Sequence, residues 1–226
     1  MHVSIMITEQ LDDTLRPFGL STRGAFHGEA RELIPSNMAT LILIGNKGAD
    51  MWRSFSANKP EGPNPLDTWT KQMLAPVAKK HNALAVYPFD GPPHYPFQRW
   101  AMIADDVTQS PIGPLIHPVY GMWHAYRAAF LFKERLDIPV IAHTPSPCTT
   151  CADQPCLSTC PVSAFRPGHY DVAACRSHIA GEAGRSCLES ACLARRACPV
   201  GQDYMYEPAQ AAFHMQHFLS AGQSSE

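Results

Sequence analysis

The stretch CTTCADQPCLSTCP, residues 148–161, decides how this sequence is read. Cys148, Cys151, Cys156 and Cys160 follow the pattern C-x2-C-x4-C-x3-C, and Pro161 closes it. A second run, CLESACLARRACP at 187–199, carries Cys187, Cys192 and Cys198 as C-x4-C-x5-C and also ends in Cys-Pro. Cys175 stands between them, and these eight are all the cysteines of the chain. Close spacing brings several sulfurs to one bend of chain, as a thiolate metal site requires. A disulfide framework belongs instead to a small secreted domain. The N-terminus MHVSIMITEQLDD has no basic leader or sustained apolar run, so no secretory signal is expected.

Ahead of the cysteines lie 147 of the 226 residues, enough for a domain of its own at roughly 100–200 residues per domain. The expected division is a domain over 1–144 and a cysteine-rich module over 145–226 with a closing helix. Lys plus Arg number 18 against 20 Asp plus Glu, a net charge of −2, which gives no electrostatic reason to expect a nucleic-acid partner. Apolar runs such as Leu41–Ile44 and Ala128–Phe132 fall far short of the roughly 20 residues that cross a bilayer. A cytoplasmic protein without a membrane partner is expected.

Within the first domain, residues 4–16 space Ile5, Leu11 and Leu15 for one helix face, with Pro17 and Gly19 ending it. Ala39–Ile44 reads as a buried strand bounded by glycines, followed by a helix over Ala49–Ala57. After the breakers of PEGPNP, Leu66–Lys80 reads as a helix with a kink at Pro76, and Ala83–Tyr87 as a strand. The segment 88–118 is rich in proline, histidine and aromatics, reads as ordered loops around a site, and holds a short helix at Phe97–Ile103. Residues 119–132 suit either a helix or a buried strand. Glu207–Leu219 reads as an amphipathic helix. These elements predict an α+β fold.

The cysteine pattern resembles the bacterial two-cluster ferredoxins, whose run is C-x2-C-x2-C-x3-C-P used twice, with the Cys of each Cys-Pro ligating the other cluster. By that interleaving one [4Fe–4S] cluster would take Cys148, Cys151, Cys156 and Cys198, and the other Cys160, Cys175, Cys187 and Cys192. The first run has x4 where x2 is usual and the second is stretched, which bears most on Cys175. Two zinc sites of four cysteines each are the alternative.

A second resemblance lies in Leu115–Phe132. His117, Pro118, Gly121, Trp123 and Arg127 match the H-P-x-x-G-x-W-x-x-x-R stretch of the CblC-type cobalamin-processing proteins. The segment from Leu33 through Ile44, with the following helix and Phe55, looks like that family's Leu-Pro turn, strand and helix. The order of domain, linker and C-x2-C is similar to that of epoxyqueuosine reductases and reductive dehalogenases. These resemblances imply a nitroreductase-like antiparallel-sheet core, favour a strand over 119–132, and imply cobalamin as a ligand. In CblC-type proteins the matching arginine faces an anionic cosubstrate, which implies a site role for Arg127. His117 would lie near the corrinoid. Trp123, Gln98 and Arg99 are further cofactor-pocket candidates, each with a plainer role in packing or on a loop.

The function these readings imply is an iron–sulfur oxidoreductase that binds and reduces a corrinoid, supplied by a reductase or ferredoxin electron donor. The alternatives are a flavin-dependent reductase or electron donor without corrinoid, and a zinc-stabilised binding module. No D-x-H-x-x-G element occurs, so cobalamin is expected without a protein histidine on cobalt.

Overall fold

The computed structural model describes residues 6–28, 34–166 and 168–221. Ile5 of the first helix and Leu33 of the Leu-Pro turn lie outside them. The chain forms two compact units, residues 1–106 with 124–143, and residues 107–123 with 144–226.

The first unit is built on a four-stranded antiparallel sheet of order β1-β2-β6-β3: β1 Ser21–His27, β2 Thr40–Lys47, β3 Leu84–Val86 and β6 His124–Phe132. Strand β2 is the Leu41–Ile44 run extended to Lys47, fully buried at those four residues, because it pairs on both edges and is covered on both faces. Helices α1 Ile7–Leu15, α2 Asp50–Ala57, α3 Pro65–Lys80 and α4 Phe97–Ala104 surround it. Helix α3 starts on Pro65, carries Asp67 in its first turn and ends on Lys79 and Lys80, an order that suits the helix dipole. It buries Trp69, which meets Phe55 of α2 edge-on at 5.9 Å.

Residues 119–132 resolve into a turn and a strand: β6 begins only at His124. Strand β1 carries no sequence signal, since Ser-Thr-Arg-Gly-Ala-Phe-His neither alternates nor runs apolar. Its pairing explains why. Thr22 faces Ile44 and Ala25 faces Ile42, so an extra residue is looped out beside β2. Gly24 sits in that bulge at φ +111°, where a Cβ would overlap the Ala104 carbonyl.

The second unit pairs two-residue strands β4 Thr108–Gln109 and β5 Leu115–Ile116, and again β7 Phe165–Arg166 and β8 His169–Tyr170. Short helices follow: α5 Pro155–Ser158, α6 Val172–Ala180, α7 Arg185–Ser190 and α8 Leu193–Arg196, with α9 Pro208–Ser220 packed on α7 and α6. Asp171 caps α6, its Oδ1 accepting from the Ala174 N–H at 2.8 Å. Among the described residues no helix is long and apolar enough to cross a membrane.

Candidate metal centres and a polar network

The eight cysteines are free thiols and line two cavities. Cys148, Cys151, Cys156 and Cys198 line the first, a cavity of about 250 Å³, together with Ile116 and Pro199. Cys160, Cys175, Cys187 and Cys192 line the second, a tight cavity of about 10 Å³, together with Phe165 and Ile179. In each set, one thiol comes from the other run's Cys-Pro step.

Local structure explains how the chain delivers them. Ser146 Oγ accepts from the Cys148 N–H at 3.3 Å and from Thr108 Oγ1 at 2.7 Å, tying the start of the first run to β4. Cys198 is brought in by a close crossing of two backbones. Gly121 at φ +56° lies where a Cβ would overlap the Val200 carbonyl, and a Cβ on Gly201 would overlap Tyr120. His117 holds that loop: its Nδ1 accepts the N–H groups of Val119 and Tyr120 at 3.0 and 3.3 Å, and its ring stacks on Tyr120 at 4.2 Å. The His-Pro-x-x-Gly stretch therefore has a structural use beside Cys198.

Burial pushes the thiols of Cys148, Cys156, Cys175 and Cys192 up, and neighbouring thiols of the same set push further in the same direction. Opposing this at three of those thiols are hydrogen bonds from the Ser146 side chain to Cys148, from the N–H groups of Ala194 and Arg195 to Cys192, and from the Tyr170 hydroxyl to Cys175; separately, the Ala164 N–H lies 3.4 Å from Cys160 Sγ. Burial and that bond to Cys175 together push Tyr170 upward as a phenol. Four crowded thiols with N–H donors directed at their sulfurs form a donor set suited to bound, deprotonated ligands, in which a metal replaces the protons. Among the described residues no three His, Cys, Asp or Glu side chains converge on one point that would hold a single ion.

Backbone strain concentrates in the same region. Gln154, Ser163 and Ala191 have positive φ, and Ala191, at φ 70° and ψ 161°, adopts a conformation that favours glycine.

A separate polar network lies at one end of the sheet in the first unit. Opposite Ile44–Gly45, strand β6 runs Ala128, then Tyr126, leaving Arg127 as a looped-out residue, just as β1 loops out at Arg23–Gly24 on the other side of β2. Both arginines turn to Asn46. Arg127 Nε donates to Asn46 Oδ1 at 2.9 Å, and Arg23 Nη1 to the Asn46 carbonyl at 3.1 Å. Arg23 also pairs with Asp105 at 2.9 Å, both side chains being under 10% exposed. Tyr126 donates to the same Asp105 oxygen at 2.9 Å. Burial, then the Asp105 charge, pushes the Tyr126 phenol well above its ordinary value. Asn46 is itself buried, and its Nδ2 has no hydrogen-bond partner among the described residues.

The sequence-based candidates thus separate. His117 and Trp123 belong to the second unit, where Trp123 packs on Ala191, Tyr206 and Ala211. Arg127, Gln98 and Arg99 belong to the first, the last two exposed on α4. Arg23, Asn46, Asp105 and Tyr126 were not singled out. Only the Gly45-Asn46 step ending an apolar run could have flagged one of them.

No protein-family model matches the chain, and no curated protein sequence matches it significantly. Solved structures do. One is a selenomethionine-labelled epoxyqueuosine reductase, with TM-score 0.55 and 13% identity over 90% of this chain and 70% of that one. Another is a C. elegans B12-trafficking protein, CblC, a homologue of human MMACHC, with TM-score 0.52 and 14% identity over 92% and 90%. A third is an epoxyqueuosine reductase with a tRNA-Tyr epoxyqueuosine-modified stem loop, with TM-score 0.50 and 14% identity over 90% and 68%. The fold is α+β with an antiparallel-sheet core, of the nitroreductase-like kind, and it is shared with CblC and epoxyqueuosine reductase.

Proposed function

We propose that this protein is an iron–sulfur oxidoreductase that reduces a corrinoid substrate, with two [4Fe–4S] clusters held by the two cysteine sets. The observation that carries the reading is the division of eight thiols into two cavities of four, with the two Cys-Pro sulfurs exchanged. When bound, such clusters supply one-electron reduction at potentials as low as about −700 mV. Cys148, Cys151, Cys156 and Cys198 would hold one, and Cys160, Cys175, Cys187 and Cys192 the other. The N–H groups on Cys160 and Cys192 and the Tyr170 hydroxyl stabilise negative charge on sulfur. The domain over 1–144 takes the corrinoid. Arg127, oriented by Asn46, presents a fixed cation to an anionic or carbonyl group, and Gln98 and Arg99 offer donors on α4. His117 holds the loop that crosses the chain just after Cys198, and Trp123 packs against Ala191 and Tyr206 in the same unit. The electron donor is a reductase or ferredoxin.

Anaerobic protein is expected to contain about eight iron and eight sulfide per chain, as two [4Fe–4S] clusters require. Zinc without iron overturns the cluster reading. Cobalamin added to the loaded protein should bind at micromolar concentration, with an absorbance change that weakens in Arg127→Ala. Binding of flavin without cobalamin would replace the corrinoid by the flavin alternative.

A further inference from the structure

The structure assigns to Arg195 a positioning and charge-setting role between the two cysteine sets, an inference that rests on reading those sets as cluster ligands. Three observations converge on this residue. Its guanidinium lies between two aromatic faces, 4.2 Å from the Trp123 ring and 4.6 Å from the Tyr206 ring, and Nη2 donates to the Met122 carbonyl. Its backbone touches both sets. The Arg195 N–H donates to the sulfur of Cys192, in the second set, while its carbonyl accepts from the N–H of Cys198, in the first, at 3.3 Å. No carboxylate pairs with it among the described residues, whereas Arg23 pairs with Asp105 and Arg185 with both Glu182 and Glu189.

The physical consequence follows from where the side chain is fixed. Only a planar, delocalised cation stacks between two rings while its fork reaches a carbonyl, and lysine cannot reproduce that geometry. Held there, the side chain pins the 192–198 segment, which spans from one cavity to the other. A positive charge carried three residues from Cys192 and three from Cys198 favours the reduced, more negative form of groups held by those thiols, and the aromatic walls limit the water that would screen it. Ala191, in its glycine-like conformation, packs against the same Trp123 and Tyr206 rings, so the strained residue and the cation share one anchor. Arg195 thereby raises the potentials of both clusters and holds the spacing between them.

The test is anaerobic dithionite titration of the loaded protein, followed by EPR, on wild type and two variants, with iron and sulfide measured first. Arg195→Gln removes the charge and is expected to disfavour reduction by about tenfold, a midpoint lower by about 59 mV for one electron. Arg195→Lys keeps the charge without the stack and should lie between wild type and Arg195→Gln. A fully loaded Arg195→Gln with wild-type midpoints overturns the inference. If Arg195→Gln does not load, Tyr206→Leu decides. Opening one face of the guanidinium to water should lower the midpoints in the same direction by a smaller amount, and unchanged midpoints overturn the inference. Wild type without iron and sulfide defeats the parent reading instead, and this one with it.

Discussion

Replacing Asp105 tests the buried network at the sheet end most directly. Asp105 Oδ2 accepts from Arg23 Nη2 and from the Tyr126 hydroxyl, both at 2.9 Å, and Oδ1 accepts from the Asp106 N–H at 2.9 Å. The ion-paired side chains are 4% and 9% exposed, so solvent cannot take over the carboxylate's work. Asp105→Ala removes both acceptor oxygens and leaves a buried guanidinium without its counter-charge, a change that costs about 3–5 kcal/mol when one partner of a buried pair is deleted. At about 2–4 °C per kcal/mol for chains of 150–250 residues, Tm should fall by roughly 6–20 °C. Asp105→Asn loses the charge and turns one acceptor oxygen into an NH2 donor but keeps the other acceptor and the side-chain volume, so its loss should be smaller. The double variant Arg23→Leu/Asp105→Ala should lie well above the sum of the two singles, because it removes the buried charge along with its partner. The assay is urea and thermal unfolding followed by far-UV circular dichroism, with metal content checked in each variant. An Asp105→Ala protein within about 1 kcal/mol of wild type, the worth of an exposed pair, would refute the reasoning.

Stability should also fall as pH rises above about 10, the ordinary tyrosine value. Tyr126 is held neutral in the fold by burial and Asp105, so at such pH the unfolded chain gives up a proton that the folded chain keeps. Tyr126→Phe should flatten that alkaline slope by about 1.4 kcal/mol per pH unit, and an unchanged slope counts against the buried phenol. Cys198→Ala should damage the same cluster spectrum as Cys151→Ala, since both thiols line one cavity; a spectrum matching that of Cys187→Ala would reverse the assignment. Gly121→Ala places a methyl group against the Val200 carbonyl at positive φ, so it should lower Tm and the occupancy of the first cavity together. Iron content and Tm both equal to wild type would show that the backbone crossing does not hold Cys198.

Much of this molecule is legible in the chain because it is carried by local signals. The apolar run at 41–44, Pro65 and Pro208 at helix starts, and the amphipathic spacing of Leu11 and Leu15 each specify an element from within a few residues. The spacing of the eight cysteines alone sorts them into two runs each closed by Cys-Pro, and the His-Pro…Trp…Arg stretch points to the fold now shared with CblC and epoxyqueuosine reductase. Tertiary structure decided the rest. Strand β1 exists because β2 offers it an edge, and its bulge at Arg23–Gly24 masks the alternation that would have revealed it. Arg23, Asn46, Asp105 and Tyr126 are unremarkable polar residues in sequence, up to 103 positions apart, and become a network only when two bulges turn both arginines toward Asn46. His117 and Trp123 fall in one unit and Arg127 in the other, with the boundary at His124 where β6 begins, a division that spacing along the chain does not reveal. Arg195 gains its place from rings supplied by residues 123 and 206. Spacing along a chain specifies what one turn or strand can bring together. Charge burial and long-range stacking depend on which segments meet, and that is settled by packing alone.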